Sequence, residues 1–225
     1  MPCVSSPFGC QIRSKAQAYG FHQSFAQFWT DGEAAYGKTD GSVCIAGEIT
    51  DADEVRAFLS AVGTNEVVCS AENAEKLGLN ITESGAILQK VLRNETVQPA
   101  EEISPREIYA VLQANGMVGE FEPFYLDLSH RMRHGTVRCA GVSADGKTVV
   151  VAAAVLGESA SLISAVAVLP KFYRRGLGTA VVRKMERMLP SGTVYILREE
   201  NKNEAFYDAL GYKPCGAWVQ GKLCN

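Results

Sequence analysis

An apolar, β-branched run ends at Pro170, and Tyr173-Arg174-Arg175-Gly176-Leu177-Gly178-Thr179 follows. An amphipathic stretch comes next, with Leu177, Val181, Met185 and Met188 on one helical face. A helix start exposes backbone N–H groups and the positive end of the macrodipole. Gly176 and Gly178 carry no Cβ, so an anion can come close to that backbone. Arg174 and Arg175 add fixed positive charge. Strand, glycine turn and helix in this order make a seat for a pyrophosphate at the end of a strand. The spacing excludes two familiar phosphate loops. No Lys-Ser or Lys-Thr follows as in G-x-x-x-x-G-K-[ST], and Gly176-Leu177-Gly178 continues as Thr179-Ala180-Val181, not as G-x-G-x-x-G. The plainer alternative is an ordinary strand-turn-helix.

A second segment, Lys202-Asn203-Glu204-Ala205-Phe206-Tyr207-Asp208-Ala209-Leu210-Gly211-Tyr212, reads as a helix closed by Gly211. Asn203 and Tyr207 are four apart and share one face. A phenol stays protonated at neutral pH and can donate to a developing anion; a core aromatic is the alternative for Tyr207. Tyr212, Pro214 and Trp218 fit a short closing strand.

These two segments, in this order, resemble the GNAT-type N-acetyltransferases. The first is similar to the family's acetyl-CoA signature, [QR]-x-x-G-x-[GA] after a strand ending in V-x-P, with Tyr173 where Gln or Arg is usual. The second is similar to N-x-x-F-Y-x-x-x-G-[FY]. The resemblance covers about residues 100–220. It implies that acetyl-CoA lies in a splayed gap beside the fourth strand, with backbone groups of Val166, Ala167 and Val168 pairing with the pantetheine arm as an added strand would. It implies that the backbone of Arg174, Arg175, Gly176, Leu177, Gly178 and Thr179 holds the pyrophosphate, that Asn203 makes a polar contact to the cofactor, and that Tyr207 protonates the departing thiolate. No metal is implied.

The acceptor half of such a reaction is less legible. A protonated amine must lose a proton before it attacks a thioester. Many relatives use a carboxylate on the fourth strand, but Ala160-Ser161-Leu162-Ile163-Ser164-Ala165 has none. Glu158 is the nearest in sequence and reads equally as a solvated turn residue. Asp127, His130 and His134 are the other candidates, although His and Arg at a helix C-terminus also serve as plain dipole complements. Three readings stay open: an N-acetyltransferase of a small-molecule amine, the same chemistry on a peptide or protein amine, and a non-catalytic acyl-CoA-binding module. Tyr207 argues against the third.

Composition narrows the partners. A net charge of −3 gives no support for nucleic-acid binding. The seven cysteines form no C-x-x-C, so neither a disulfide framework nor a zinc site is expected, and reduced thiols in the cytoplasm are the simpler reading. The first ten residues lack the basic and apolar regions of a secretory signal. Thr148–Leu169 has the length of a membrane span, but Gly157-Glu158-Ser159 interrupts it, so two buried strands of a hairpin are expected. Monomer and homodimer both remain open.

The expected fold is α/β (α+β): a GNAT-like mixed central sheet flanked by helices, occupying 99–225, preceded by a smaller α/β domain over 1–98. That first unit is either a degenerate half of a duplicated acetyltransferase or an unrelated lid. Phe21, Phe25, Phe28 and Trp29 fall at helical spacing. Strands are expected at 42–46, 66–69 and 87–93 and helices at 51–59 and 72–77. The polar, proline-bearing stretch 94–104 suits a linker. Ser104-Pro105-Arg106-Glu107 is a capping box, a second helix runs from Phe121 to His134, and Asp145-Gly146 is a hairpin turn. Strands follow at 136–142, 148–156, 159–168 and 193–197. The family's first strand is the one this order lacks, and 87–92 is the candidate for it.

Overall fold

In the computed structural model, Ser6 caps the first helix by accepting the Gly9 N–H, and Pro7 takes the first helical position. This helix, α1 (Pro7–Tyr19), ends at Gly20, whose φ of 71° breaks the ladder. The structure describes residues 5–100 and 103–223. Cys3, Cys224, the first four residues and part of the 94–104 linker lie outside the described residues. The helical spacing of Phe21, Phe25, Phe28 and Trp29 is misleading. Residues 20–25 are irregular and Phe21 is exposed, while Phe28 and Trp29 lie in β1 (Ala26–Thr30). As neighbours in a strand they point to opposite faces. Phe28 packs with α1, and Trp29 meets Phe58 on the other side.

β1 pairs with β2 (Ala34–Thr39), and β2 with β3 (Ser42–Gly47), both antiparallel. α2 (Ala52–Ala61) is capped by Asp51, which accepts the N–H groups of Asp53 and Glu54. β4 (Glu66–Ser70) runs parallel to β3, and α3 (Ala71–Leu77) stops at the left-handed Gly78. β5 (Asn80–Leu92) contains the expected 87–92 strand and begins seven residues earlier. Ser104 and Glu107 form the capping box of α4 (Pro105–Gln113), and α5 (Phe121–Arg133) follows. β6 (Val137–Ala144) and β7 (Lys147–Leu156) turn at Asp145-Gly146, both at positive φ. β8 (Ala160–Val168), α6 (Leu177–Met188), β9 (Gly192–Glu199), α7 (Glu204–Ala209) and β10 (Lys213–Lys222) complete the chain. The membrane-length run is therefore the β7–β8 hairpin. Among the described residues, no helix is long and apolar enough to cross a membrane.

Among the described residues, ten strands form one mixed sheet in the order β1-β2-β3-β4-β10-β5-β9-β8-β7-β6. The C-terminal strand is an interior strand: β10 pairs with β4 on one side and with β5 on the other. The sheet is thus continuous across the two expected units, and β5 has its neighbours β9 and β10 in the second. On one face α6 and α7 bury Val181, Met185, Met188 and Leu210 against β5, β7 and β9. On the other, α4 and α5 cover β6–β8 through Ile108, Leu112 and Leu128. α1 contacts both halves, with Phe8 and Ile12 against Ala46, Ile87 and Trp218.

Candidate active site

The glycine turn is shaped by backbone conformation. Pro170–Phe172 makes one 3-10 turn, then Arg174 and Gly176 take left-handed φ values of 58° and 75°. Gly176 is the N-cap of α6 and no side chain caps that end. The first ladder bond is Ala180 N–H to the Gly176 carbonyl at 3.1 Å. The N–H groups of Leu177, Gly178 and Thr179 are therefore the orphan donors of this helix. A Cβ on Gly176 would meet nothing within 4 Å, whereas one on Gly178 would lie 3.4 Å from the Phe206 ring.

The strand before the turn separates from its neighbour. β8 and β9 are parallel partners over Ala160–Ile163 and Thr193–Ile196 and no further. At that point β8 carries a bulge: Ala154 opposes Ile163, Ala153 opposes Ala165, and Ser164 has no partner across the ladder. A bulge bends its strand and adds twist. Beyond it β8 follows β7 to Val168 while β9 follows β5 to Glu199, and the two diverge. Leu169 donates to the Val149 carbonyl at 2.8 Å, so by the two-residue alternation Ala167 also turns its backbone groups to β7. Val166 and Val168 turn theirs to the gap. This register narrows the expectation for the strand backbone from three residues to two. The Val168 carbonyl already accepts from Asn115 Nδ2 at 3.0 Å, so the N–H of Val168 and both groups of Val166 are the ones turned to the gap without a strand partner.

The divergence opens a cleft of about 800 Å³. Val166, Ala167, Val168, Arg174, Gly176, Leu177, Gly178, Thr179, Asn203 and Tyr207 all line it. Arg175 does not; its guanidinium lies 5.2 Å from the centre of the Phe172 ring. Asn203 is the N-cap of α7 in a left-handed conformation (φ 56°), and its side chain makes no cap bond. Tyr207 sits one helical turn on, edge to face with Phe206 and Tyr212. Burial pushes its phenol pKa up, opposed by Arg198, so it stays protonated at neutral pH.

Further residues line the cleft that the sequence reading left unassigned, among them Asn115, Met117, Ser164, Arg198, Lys202 and Phe206. Asn115 ties the end of α4 to β8 and accepts the Tyr173 hydroxyl at 2.7 Å. Tyr173, the departure from the usual signature, is thereby anchored at the cleft mouth. Phe206 and Lys202 lay inside a recognised motif, but Asn115 and Met117 sit in an unpatterned loop.

The proposed acceptor-side groups separate. Glu158 is exposed in the β7–β8 turn and pairs with Arg13 at 2.6 Å. His130 Nε2 donates to the Ala18 carbonyl at 2.8 Å and stacks on Tyr19, and His134 Nδ1 donates to the His130 carbonyl. Neither histidine lines a described cavity. Asp127 does. It faces a second cavity of about 220 Å³ that shares Met117, Ser164 and Ala165 with the first. Among the described residues, no cluster of His, Cys, Asp and Glu could hold a metal ion. Cys10, Cys44, Cys69, Cys139 and Cys215 are free thiols.

The FR47-like protein family matches residues 140–219, the span that holds the bulge, the glycine turn and Tyr207. No curated protein matches the chain. Among solved structures, a GCN5-related N-acetyltransferase from Kribbella flavida aligns with a TM-score of 0.62 and 17% identity, covering 96% of this chain and 96% of that one. A GCN5-related N-acetyltransferase from Sphaerobacter thermophilus gives 0.57 and 14%, covering 100% and 94%. A tandem GNAT protein from the clavulanic acid biosynthesis pathway gives 0.57 and 14%, covering 94% and 88%. The splayed strands and the glycine turn thus belong to a fold similar to that of these N-acetyltransferase structures, and residues 140–219 match the FR47-like family.

Proposed function

We propose that this protein is an acetyl-CoA-dependent N-acetyltransferase whose acceptor is the primary amine of a small molecule. One observation carries the reading: the orphan N–H groups of α6, the free backbone edge of β8 and the Tyr207 phenol all face one cleft. The residues fit the cosubstrate. Leu177, Gly178 and Thr179 supply three donors to a pyrophosphate, with Arg174 beside them and no side chain over Gly176. Val166 and Val168 offer strand-type hydrogen bonds to an extended amide arm. Acetyl-CoA, when bound, supplies the activated acyl group as a thioester. Asn203 offers a polar side chain not spent on capping. Tyr207 holds a proton at its Oη for a sulfur that becomes anionic. Free thiols at five described cysteines support a reducing compartment such as the cytoplasm.

The test is Tyr207→Phe, which keeps the ring against Phe206 and Tyr212 and removes the proton. The expected result is a fall in kcat of about 10²–10⁴-fold, the usual worth of a general acid, with CoA affinity within a few-fold of wild type. An unchanged kcat at saturating acceptor refutes the role. Loss of CoA binding together with the thermal midpoint would make Tyr207 a packing residue.

A further inference from the structure

The second cavity lies between α4, α5 and strands β6–β8, and it meets the cleft at Met117, Ser164 and Ala165. That junction is where β8 bulges and the splay begins. Ten of its thirteen lining residues are apolar, so most of what fills it must be apolar too. Its polar groups are Ser164, Arg131 and Asp127. Arg131 is mostly buried, donating to Asp127 Oδ2 at 3.2 Å and to Ser14 Oγ at 3.3 Å, while its Nε has no described partner. Asp127 differs. Each carboxylate oxygen has one described partner, Tyr19 Oη at 2.6 Å or Arg131 Nη1, and the side chain is 41% exposed. An ionised carboxylate oxygen has room for a further donor. About 220 Å³ is less than the usual range for drug-sized ligands, which favours a compact molecule.

Resting on the acetyltransferase reading above, we propose that the acceptor is a compact amine with an apolar body, and that Asp127 receives its ammonium and removes the proton. The apolar body fills the space between Leu112, Phe124, Leu128 and Val155. The ammonium gives one proton to the Asp127 carboxylate, which later releases it to water. The freed lone pair forms the N–C bond at the thioester carbonyl, and the C–S bond breaks with its electrons on sulfur. Tyr207 protonates that sulfur, and the second surplus proton on nitrogen restores the tyrosine. Atoms and charge balance with no other reactant.

Two near-isosteric probes separate this role from a structural one: 2-phenylethylamine, charged at neutral pH, and O-benzylhydroxylamine, uncharged there. Spermidine, phenylalanine and a short peptide with a free N-terminus complete the panel. Turnover is read as free thiol and acceptor binding as saturation-transfer NMR. 2-Phenylethylamine should be turned over and should show saturation transfer to its ring. Asp127→Asn should lower its kcat/KM at least tenfold, leave CoA affinity within twofold, and change turnover of O-benzylhydroxylamine by less than threefold. Ala153→Leu, which adds bulk to the cavity wall, should abolish ring saturation transfer while CoA still binds. Preference for spermidine, phenylalanine or the peptide overturns the proposal, as does an equal loss with both probes in Asp127→Asn. CoA binding with no saturation transfer from any amine overturns it too, while leaving the cofactor reading standing. Failure to bind CoA at all takes down both.

Discussion

Gly176 sits where conformation and ligand access coincide, so Gly176→Val separates the two. Its φ of 75° is left-handed, and a Cβ there would meet no atom of the protein within 4 Å. The folding penalty is therefore a backbone penalty, about 1–2 kcal/mol for an L-residue held in this region. In a chain of this size, 1 kcal/mol moves the midpoint by about 2–4 °C, so a drop of about 2–8 °C is expected. The binding penalty has a different origin. The valine methyls stand in the open space before the N–H groups of Leu177, Gly178 and Thr179, where a pyrophosphate would approach. CoA affinity should fall at least tenfold, which is ~1.4 kcal/mol. Gly176→Asn is the control. Asparagine tolerates the left-handed region, so stability should return towards wild type while the added side chain still weakens CoA. Calorimetry gives the affinity and a thermal melt gives the stability. A folded Gly176→Val protein that binds CoA with unchanged affinity would refute the use of this helix end as the anion site.

Two further expectations concern the scaffold. A Cβ on Gly85 would lie 1.9 Å from the Arg198 carbonyl oxygen and 2.7 Å from Trp218 Nε1, so Gly85→Ala should destabilise by about 3 kcal/mol through overpacking; an unchanged urea midpoint would show that the close approach is relieved easily. Glu186 is nearly buried and pairs with Lys90 at 2.7 Å, with Arg183 at 3.0 Å on its other oxygen. Glu186→Leu should cost about 3 kcal/mol by leaving Lys90 without its counter-ion, and adding Lys90→Met should recover most of it. A double variant no more stable than the single would sink that account.

What could be read from the sequence follows the range of the interactions involved. The capping box, the Asp145-Gly146 turn and the Gly211 stop are set within four or five residues, and each stands in the structure as its residues indicate. The glycine turn and the Asn203–Tyr207 helix are equally local, and ten of the eleven named positions line one cleft. Phe21, Phe25, Phe28 and Trp29 mislead because four spaced aromatics satisfy a helical period, while a single glycine at position 20 decides the backbone. Three other features were beyond local reading: the insertion of β10 between β4 and β5, the bulge at Ser164, and Asn115 reaching the Val168 carbonyl. The first and last join residues 53 to 154 positions apart, for which one chain carries no local signal, while the bulge lies in a hairpin whose partners there are only 9 to 12 positions apart and no Gly or Pro marks it.

The placement of β10 gives the N-terminal half a part in the site, although none of its described residues lines the cleft. A splay needs two walls held apart. The first wall, β8 beyond Ser164, is held to β7 by its ladder and to α4 by Asn115. The second wall is the end of β9, whose last residues reach the cleft as Arg198 and Glu199. That end pairs with β5 at Ala86 and Gly85. Trp218 of β10 crosses Gly85 and donates from Nε1 to the Arg198 carbonyl at 3.1 Å, which the missing Cβ at Gly85 permits. The Trp218 ring is itself packed by Phe8 and Ile12 of α1, and β10 is flanked by β4. A chain of packed and hydrogen-bonded groups thus runs from α1 and β4 through Trp218 to the second wall. On this account, loosening Trp218 would soften the cleft from a distance while leaving the glycine turn intact. The N-terminal half thus braces β9 through Trp218, and Tyr19 of α1 also holds Asp127 beside the second cavity.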